Sequence, residues 1–300
     1  MVDPSVNSSV DTVRTSSTAI ETFFVTFGTP NYSQARSRYM RSLARYGYTR
    51  VLAFDTESPI IAKARDENPE VFAATRGYGY WIWKPYIIEA ALEQSSPNAR
   101  IFYTDIGVEM VGSPERLFEV TRDQDICTFR IGSGMPQRLS TKRDAFVLMG
   151  ADYSEFWDDE MVNGGFLLLR NSSIARRFLE EWRVAMRDRR LLMDDPSALG
   201  LPDLPDFRAH RHDQSILSIL AHKYATPIFP DPSQWGRDRN GRAQMRPGSP
   251  RFVPAEFGCV FNHHRKRDRP LYRRMASNAK AALIGQLNFA SALRGLASKP

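Results

Sequence analysis

The beginning of the sequence alternates strand-like and helix-like segments, and this alternation restricts the fold more than any other feature. Residues 23–27 are aromatic and β-branched and end at a glycine, which predicts a buried strand. Apolar residues then recur at helical spacing from Ala35 to Tyr46, and residues 51–54 form a second short apolar run. This succession is typical of a parallel sheet covered by helices. We therefore predict an α/β domain whose mostly parallel central sheet is flanked by helices.

The same alternation continues along the chain. Further helices are predicted at residues 83–92, 172–190 and 213–224, and further strands at 101–103 and 166–169. Thr141 and Asp144 have the spacing of a capping box, which predicts one more helix at 145–149. Gly28 stands alone after the first strand, so the sequence lacks the glycine-rich fingerprint of a dinucleotide site or a P-loop.

The net charge of +7 is concentrated at one end of the chain. Residues 263–300 hold nine Lys or Arg and one acidic residue, Asp268, whereas the rest of the chain has 32 basic against 33 acidic residues. A nucleic-acid-binding domain usually carries a basic stripe across its surface. We therefore predict no nucleic-acid partner.

The two ends of the sequence differ from its middle. Residues 1–20 are rich in Ser and Thr and predict a disordered leader, ahead of a folded domain at 21–275. Residues 276–300 predict a basic amphipathic helix, which either packs against the domain or lies on a membrane surface. No apolar stretch reaches the roughly 20 residues of a membrane span, and no signal peptide is recognisable. We expect a cytoplasmic protein with a peripheral inner-membrane contact through its tail.

A first candidate for chemistry follows the strand at 101–103. If the chain stays extended, Asp105, Gly107 and Glu109 share one side, and the two carboxylates flank a gap. Ligands of open α/β sheets bind beyond the carboxyl ends of strands, and Mg²⁺ and Mn²⁺ prefer carboxylate oxygens. The alternative is that Asp105 caps a turn.

Two further candidates flank core elements. Asn163 precedes two glycines and the apolar run at 166–169, so the segment either forms a bend or lets a ligand approach the backbone. Asp213 and Gln214 open the helix at 213–224, where an acid is commonly a first-turn residue but a polar pair also suits sugar hydroxyls.

The last two candidates are basic or aromatic. Residues 261–269 include His263, His264, Arg265 and Lys266, which suit a phosphate but also a solvated basic loop. Adjacent histidines on a strand face opposite sides, so at most one would reach a given metal. Residues 77–85, GYGYWIWKP, are either core aromatics or a sugar-binding surface, with Lys84 as a phosphate contact.

The order of these motifs resembles bacterial nucleotide-sugar glycosyltransferases of the GT-A class. The resemblance is nearest to a polysaccharide-associated group with GYGYWIWKP, YxDxG, TKRD, NGGF and HRHDQS in this order, all present between Gly77 and Ser215. More distantly, the order is similar to glycosyltransferase family eight, which includes glycogenin. The resemblance implies a GT-A, Rossmann-like domain and a hexosyltransferase-like enzyme.

The same resemblance implies roles for individual residues. Those implied in binding the nucleotide sugar are Thr26, Gly28, Tyr32, Lys84, Asp105, Gly107, Arg265 and Lys266. Those implied in catalysis are Asn163, Asp213 and Gln214, and a manganese or magnesium ion would be held by Asp105 with either His263 or His264. The sequence departs from the DxD motif of the family at Gly107, where the second aspartate is missing.

The resemblance therefore implies transfer of a sugar from a UDP-linked donor to a glycan or glycolipid acceptor in cell-surface polysaccharide synthesis. Family eight implies that the anomeric configuration is retained. Because of Gly107, either the metal is held by fewer protein ligands, or Glu109 supplies the missing oxygen, or basic residues replace the metal. The alternatives are a sugar nucleotidyltransferase and a non-enzymatic basic module that binds nucleic acid or membrane.

Overall fold

The computed structural model describes residues 20–132, 134–237 and 248–264, together with Tyr272, Met275, Ala276, Asn278, Ala279 and Leu283. The predicted leader at 1–20, except Ile20, and most of the predicted helix at 276–300 lie outside these residues. Within the described part of the chain, no helix is both long and apolar enough to span a membrane.

A six-stranded sheet lies at the centre of the domain. Its strands are β1 (Thr22–Phe27), β2 (Val51–Phe54), β3 (Arg100–Thr104), β5 (Ile126–Arg130), β6 (Val162–Arg170) and β7 (Ile228–Phe229), while β4 (Val108–Met110) pairs with β8 (Phe261–His263) in a separate two-stranded sheet. The order in the large sheet is β2-β1-β3-β6-β5-β7. Only β6 runs against its neighbours there. The prediction of a mostly parallel α/β sheet is confirmed.

Helices connect the strands and cover the sheet. They are α1 (Ser33–Ala44), α2 (Pro59–Glu67), α3 (Pro69–Phe72), α4 (Gly77–Tyr80), α5 (Trp83–Glu93), α6 (Glu115–Val120), α7 (Arg143–Leu148), α8 (Ser154–Trp157), α9 (Ser173–Met186), α10 (Arg189–Leu192) and α11 (Asp213–Lys223). The predicted helices at 83–92 and 213–224 therefore match α5 and α11. The predicted helix at 172–190 is divided, because α9 ends at Met186 and α10 is a separate turn.

The central strands are buried on both faces. In β1, Phe23, Val25 and Phe27 enter one hydrophobic cluster, whereas Phe24 enters a second cluster on the other face. β6 alternates in the same way, with Leu167 and Phe166 on opposite sides. This period of two explains why these strands are continuous apolar runs in the sequence.

The predicted capping box at the start of α7 is wrong. The N-cap residue is Lys142, without a side-chain hydrogen bond to the helix. Asp144 instead accepts hydrogen bonds from Ser197 Oγ (2.6 Å) and the Ala198 amide (2.7 Å). A tertiary contact with a distant loop thus replaces the local cap.

Candidate functional site

Residues of three motifs that are far apart in the sequence meet at the buried ammonium group of a fourth motif. Lys84, near the start of α5, is 3% exposed. Its Nζ donates to the carbonyl of Gly164 (2.7 Å) and to Asp213 Oδ2 (2.6 Å), and lies 3.7 Å from Asp105 Oδ1. The structure therefore brings the WKP, YxDxG, NGGF and HRHDQS motifs together at the carboxyl end of β3.

Asp105 lies immediately after β3 and continues its pairing with β6. Its amide donates to the Gly165 carbonyl (3.0 Å), and its Oδ1 accepts a hydrogen bond from Tyr103 (2.7 Å). The side chain is 37% exposed, so it is accessible from solvent. Asp105 is thus an oriented carboxylate at the edge where ligands of α/β sheets bind.

The two glycines of NGGF lie inside β6, not in a bend before it. A Cβ atom on Gly164 would lie 3.2 Å from Asp213 Oδ2, and one on Gly165 would lie 3.1 Å from Asp105 Oδ2. The close approach of two carboxylates to the strand backbone is the physical reason for these glycines.

Asn163 is held by a residue that the sequence motifs do not include. Its Oδ1 accepts from the Gly165 amide (2.9 Å), and its Nδ2 donates to Asp231 Oδ2 (3.0 Å). Asp231 is 1% exposed, and its Oδ1 accepts from the amide (2.8 Å) and the hydroxyl (2.6 Å) of Ser233. Asp231 follows β7, a parallel strand of only two residues beside prolines, which explains why strand patterns do not reveal it.

The first turn of α11 supplies the remaining polar groups. Gln214 Oε1 accepts from the Gly164 amide (3.3 Å), while its Nε2 is buried without a hydrogen-bond partner among the described residues. Asp213 is 4% exposed and its main-chain carbonyl accepts from the indole of Trp182 (3.3 Å). The side-chain Nε2 of Gln214 is therefore a buried donor that the described residues leave unsatisfied.

Burial and the ion pair act in opposite directions on Asp213. Loss of solvent raises the pKa of Asp213 to about 6, although the nearby Lys84 ammonium lowers it. Burial alone would lower the pKa of Lys84, but the carboxylates of Asp213 and Asp105 outweigh it and raise that pKa. At neutral pH the pair is charged, with Asp213 close to its titration range.

Three of the residues predicted to bind the nucleotide sugar lie at the end of β1 or just after it. Thr26 is buried, with its hydroxyl oxygen unpartnered among the described residues. Tyr32 ends a short 3₁₀ turn, Pro30–Tyr32, and is half-buried. A Cβ atom on Gly28 would lie 3.1 Å from Tyr32 Cβ and 3.3 Å from Ile106, so this glycine permits a close packing of the two segments.

The predicted shared face of Asp105 and Glu109 is wrong. A turn at residues 106–107 separates them, because β4 begins only at Val108. Glu109 is buried and accepts from Asn278 Nδ2 (2.7 Å), and its Oε1 lies 3.4 Å from Arg38 Nε. The carboxylate of Glu109 is therefore engaged by Asn278 and Arg38 and does not supply the oxygen missing at Gly107.

The two adjacent histidines separate as expected for a strand. A Cβ atom on Gly107 would lie 3.8 Å from His263 Nε2. His264 Nε2 instead contacts Asn278 Oδ1 (2.9 Å) and lies 3.7 Å from Glu109 Oε1. Of the two side chains, that of His263 lies beside Gly107 in the YxDxG turn. Arg265 and Lys266 lie outside the described residues.

A divalent cation fits this donor set only in part. Asp105 and His263 offer an oxygen and a nitrogen of the kinds that Mn²⁺ and Mg²⁺ accept. Within the ranges that the structure describes, no three His, Cys, Asp or Glu side chains lie close enough together to hold a metal ion. The remaining coordination positions would belong to water and substrate.

Most of the aromatic motif belongs to the core. Trp83 is 4% exposed and packs on Phe27, with ring centroids 4.2 Å apart. Trp81 lies between Gly77 and the His212 ring, whose centroid is 5.8 Å away. The core alternative is therefore correct for Trp83, whereas Trp81 is half-buried and packs against the core, and Lys84 reaches the polar cluster.

No protein-family model matches the chain, and no curated protein matches it. Among solved structures, the apo form of mouse xyloside xylosyltransferase 1 is 14% identical, with a TM-score of 0.44 over 84% of this chain and 100% of that chain. The galactosyltransferase LgtC, in complex with donor and acceptor sugar analogues, is 13% identical, with a TM-score of 0.44 over 88% and 95% of the two chains. A glycosyltransferase involved in glycosylation of the major capsid of PBCV-1 is 10% identical, with a TM-score of 0.40 over 87% and 99%.

Proposed function

We propose that the protein is a glycosyltransferase that moves a sugar from a UDP-linked donor to a glycan or glycolipid acceptor. The observation that carries this proposal is the convergence of Asp105, Gly164 and Asp213 on the buried ammonium of Lys84. These groups come from motifs whose order resembles nucleotide-sugar glycosyltransferases. A cluster of carboxylates and amides beyond strand ends suits the many hydroxyls of a sugar.

The donor sugar would lie against the first turn of α11 and the start of β6. Gln214 Nε2, buried without a partner among the described residues, would donate to a sugar hydroxyl. Asp213 would accept from the sugar and stabilise positive charge that develops at the anomeric carbon. Asn163, fixed by Asp231, would contribute its remaining hydrogen-bonding capacity.

The nucleoside diphosphate would extend from this cluster towards β1. Tyr32 would stack on the base, with Thr26 and Gly28 beside the nucleoside. A manganese or magnesium ion would be held by Asp105 and His263, and when bound it would neutralise charge on the departing diphosphate. Arg265 and Lys266 would contribute to the same neutralisation from the neighbouring segment.

We assign the reaction to cell-surface polysaccharide synthesis, with retention of the anomeric configuration, on the strength of the sequence resemblance. We also propose a cytoplasmic enzyme with a peripheral contact to the inner membrane. Tyr272, Met275 and Leu283 support this contact, because these described residues of the tail are 66%, 61% and 56% exposed. They share one face at helical spacing, within a segment free of acidic residues after Asp268.

The test is a screen of nucleotide sugars for transfer and hydrolysis, with and without Mn²⁺. We expect turnover of a nucleoside diphosphate sugar, and loss of at least about a hundredfold in kcat for Asp105→Asn and Asp213→Asn, because each removes a charge next to the reacting groups. Asp123→Asn, at an exposed position, is the matched control. Wild-type rates in both site variants would refute the site, and thermal melting would check that they fold.

The two alternative functions predict different results in the same screen. A nucleotidyltransferase would form a nucleotide sugar from a sugar phosphate and a nucleoside triphosphate. A basic binding module would bind nucleic acid or vesicles with strong salt dependence and would not turn over nucleotide sugars. Either outcome would replace the present proposal.

A further inference from the structure

The described site offers a divalent cation very few ligands of its own. Asp105 already accepts a hydrogen bond from Tyr103 and lies 3.7 Å from the Lys84 ammonium, which repels a second cation. Asp213 is paired with the same ammonium at 2.6 Å. Asp231 accepts hydrogen bonds on both of its oxygens. Each of these carboxylates is therefore partly engaged within the protein.

The position that would complete the site is empty of a side chain. A Cβ atom on Gly107 would point towards His263, with Nε2 at 3.8 Å, and its nearest neighbour would be the His264 carbonyl at 3.4 Å, an ordinary contact distance. Gly107 does not have a left-handed φ, so its backbone also accepts other residues. The turn therefore accepts a Cβ atom that points towards His263, and this chain has no side chain there.

The charges of the cluster nevertheless favour a cation once a diphosphate is present. Two carboxylates, those of Asp105 and Asp213, face one ammonium, that of Lys84. A nucleoside diphosphate adds further negative charge and also supplies oxygen ligands. Mg²⁺-like ions are commonly held by one or two protein carboxylates together with substrate phosphates.

We infer that this protein captures its divalent cation only together with the nucleoside diphosphate, because Gly107 leaves the protein's own ligand set too small to hold the ion. This inference rests on the proposed function. Donor and metal then bind as one unit, and the metal leaves with the nucleotide product. The affinities for metal and for nucleotide are reciprocally coupled.

Titration of Mn²⁺ into the full-length protein, followed by electron paramagnetic resonance of the free ion, tests this coupling. We expect no measurable Mn²⁺ binding to the protein alone. When UDP is present, the protein should bind Mn²⁺ stoichiometrically, in addition to the Mn²⁺ that free UDP binds by itself. Asp105→Asn should weaken the UDP-dependent binding by about a hundredfold, whereas Asp123→Asn should not change it. Tight binding of Mn²⁺ without nucleotide would overturn the inference.

Gly107→Asp provides a gain-of-function test with a close control. The added carboxylate beside His263 should allow Mn²⁺ to bind without UDP, with an affinity raised at least about tenfold, because affinity depends on the number of charged ligands. Gly107→Ala adds the Cβ atom without the charge and should bind Mn²⁺ as poorly as the wild type. Equal Mn²⁺ binding by the Asp and Ala variants would contradict the role assigned to this position.

The same measurements separate this inference from the proposed function. If UDP binds equally well in EDTA, the inference fails while the glycosyltransferase proposal stands, with basic residues such as Arg265 neutralising the diphosphate. If UDP, GDP, CDP, ADP and dTDP all fail to bind with or without Mn²⁺, the proposed function itself fails. Isothermal titration calorimetry with these five nucleotides distinguishes the two outcomes.

Discussion

At the level of single residues, the site depends on how one buried ammonium is compensated. Lys84 is 3% exposed, and an isolated charge at such a position would be strongly unfavourable. The carboxylate of Asp213 and the carbonyl of Gly164 compensate it at hydrogen-bond distance. The same contacts orient Asp213 towards the ends of the strands, so the ion pair arranges the site as well as stabilising it.

The raised pKa of Asp213 predicts the pH dependence of activity. With a pKa of about 6, Asp213 gains a proton as the pH falls through this value, and its negative charge is lost. We expect kcat to fall below about pH 6 on the acidic side of the pH profile. Lys84→Gln removes the ammonium that lowers this pKa, so the acidic limb should move to higher pH, whereas Lys84→Arg should leave it near its original position.

A pH profile of transfer by the wild type and both Lys84 variants makes this measurement. Carbon-13 NMR of the aspartate carboxyl groups replaces kinetics where the residual rate is too low. An acidic limb that stays at the same pH in Lys84→Gln would show that Asp213 is not the titrating group.

Asp231 is predicted to act as a positioning residue for Asn163. Asp231→Asn places two amide donors opposite each other and should lower kcat by about tenfold to a hundredfold, with little change in KM. The double variant Asp231→Asn with Asn163→Asp exchanges the two groups and restores the hydrogen bond. Recovery of kcat in the double variant would establish positioning, and a further loss in steady-state assays would exclude it.

At the level of elements, a run of left-handed backbone places Lys84. Residues 77–81 all have positive φ, between 50° and 83°, and three of them are not glycine. This conformation costs about 1–2 kcal/mol for each non-glycine residue. Tertiary contacts compensate it: the Trp83 indole donates to the Gly77 carbonyl (3.1 Å), and Tyr80 packs on His212. The run ends at Trp81, just before α5 begins, and so sets the direction in which the Lys84 side chain points away from α5.

Gly77→Ala should disturb this element. A Cβ atom there would lie 2.5 Å from the Trp81 ring in addition to the φ of +58°, so we expect a loss of about 2–4 kcal/mol in the free energy of unfolding. Gly47 has a φ of +83° with no atom within 4 Å of the added Cβ. Gly47→Ala therefore isolates the backbone cost and should lose about 1 kcal/mol.

Urea denaturation of both variants gives the comparison. Activity adds a second readout, because only Gly77→Ala should also reduce kcat through displacement of Lys84. Equal destabilisation by the two substitutions would show that the packing of Trp81 on Gly77 is unimportant.

At the level of the whole molecule, buried ion pairs join segments that are distant in the chain. Arg130 in β5 pairs with Glu160, and their side chains are 1% and 4% exposed. Asp159, which precedes Glu160 in the sequence, contacts His222 and Arg251, which come much later in the chain. The contacts of Asp159 join α11 and the segment after it to the residues that precede β6.

Glu160→Gln should therefore be costly. Removing the carboxylate of a buried ion pair lowers the free energy of unfolding by about 3–5 kcal/mol. Asp158, two positions earlier, pairs with Arg138 at the surface and is 64% exposed. Asp158→Asn should change the free energy of unfolding by less than about 1 kcal/mol.

Chemical denaturation at neutral pH measures both effects. If Glu160→Gln lowers the free energy of unfolding no more than Asp158→Asn does, the ion pair between Arg130 and Glu160 does not hold the fold together.

Local patterns in the sequence were sufficient for β1, β2, β3 and the apolar part of β6, but not for β4, β5, β7 and β8. The alternation in β1 and β6 and the helical spacing in α1 and α5 reflect burial on particular faces, which a single chain records directly. Motif order selected Lys84, Asp105, Asn163, Asp213 and Gln214 as candidates, and the structure brings Lys84, Asp105 and Asp213 together. Asp231 and the true partners of Glu109 and Asp144 were not predictable, because their contacts join residues far apart in sequence.

The sequence by itself determined the α/β class, the buried strands and the chemical types of the site groups, because periodicity and composition are local properties. The tertiary structure alone decided which groups meet. It turned Glu109 away from Asp105, brought the His263 side chain beside Gly107 and placed Lys84 between two carboxylates. Those outcomes depend on the turn at 106–107 and on strand pairing across the chain, which no local pattern encodes.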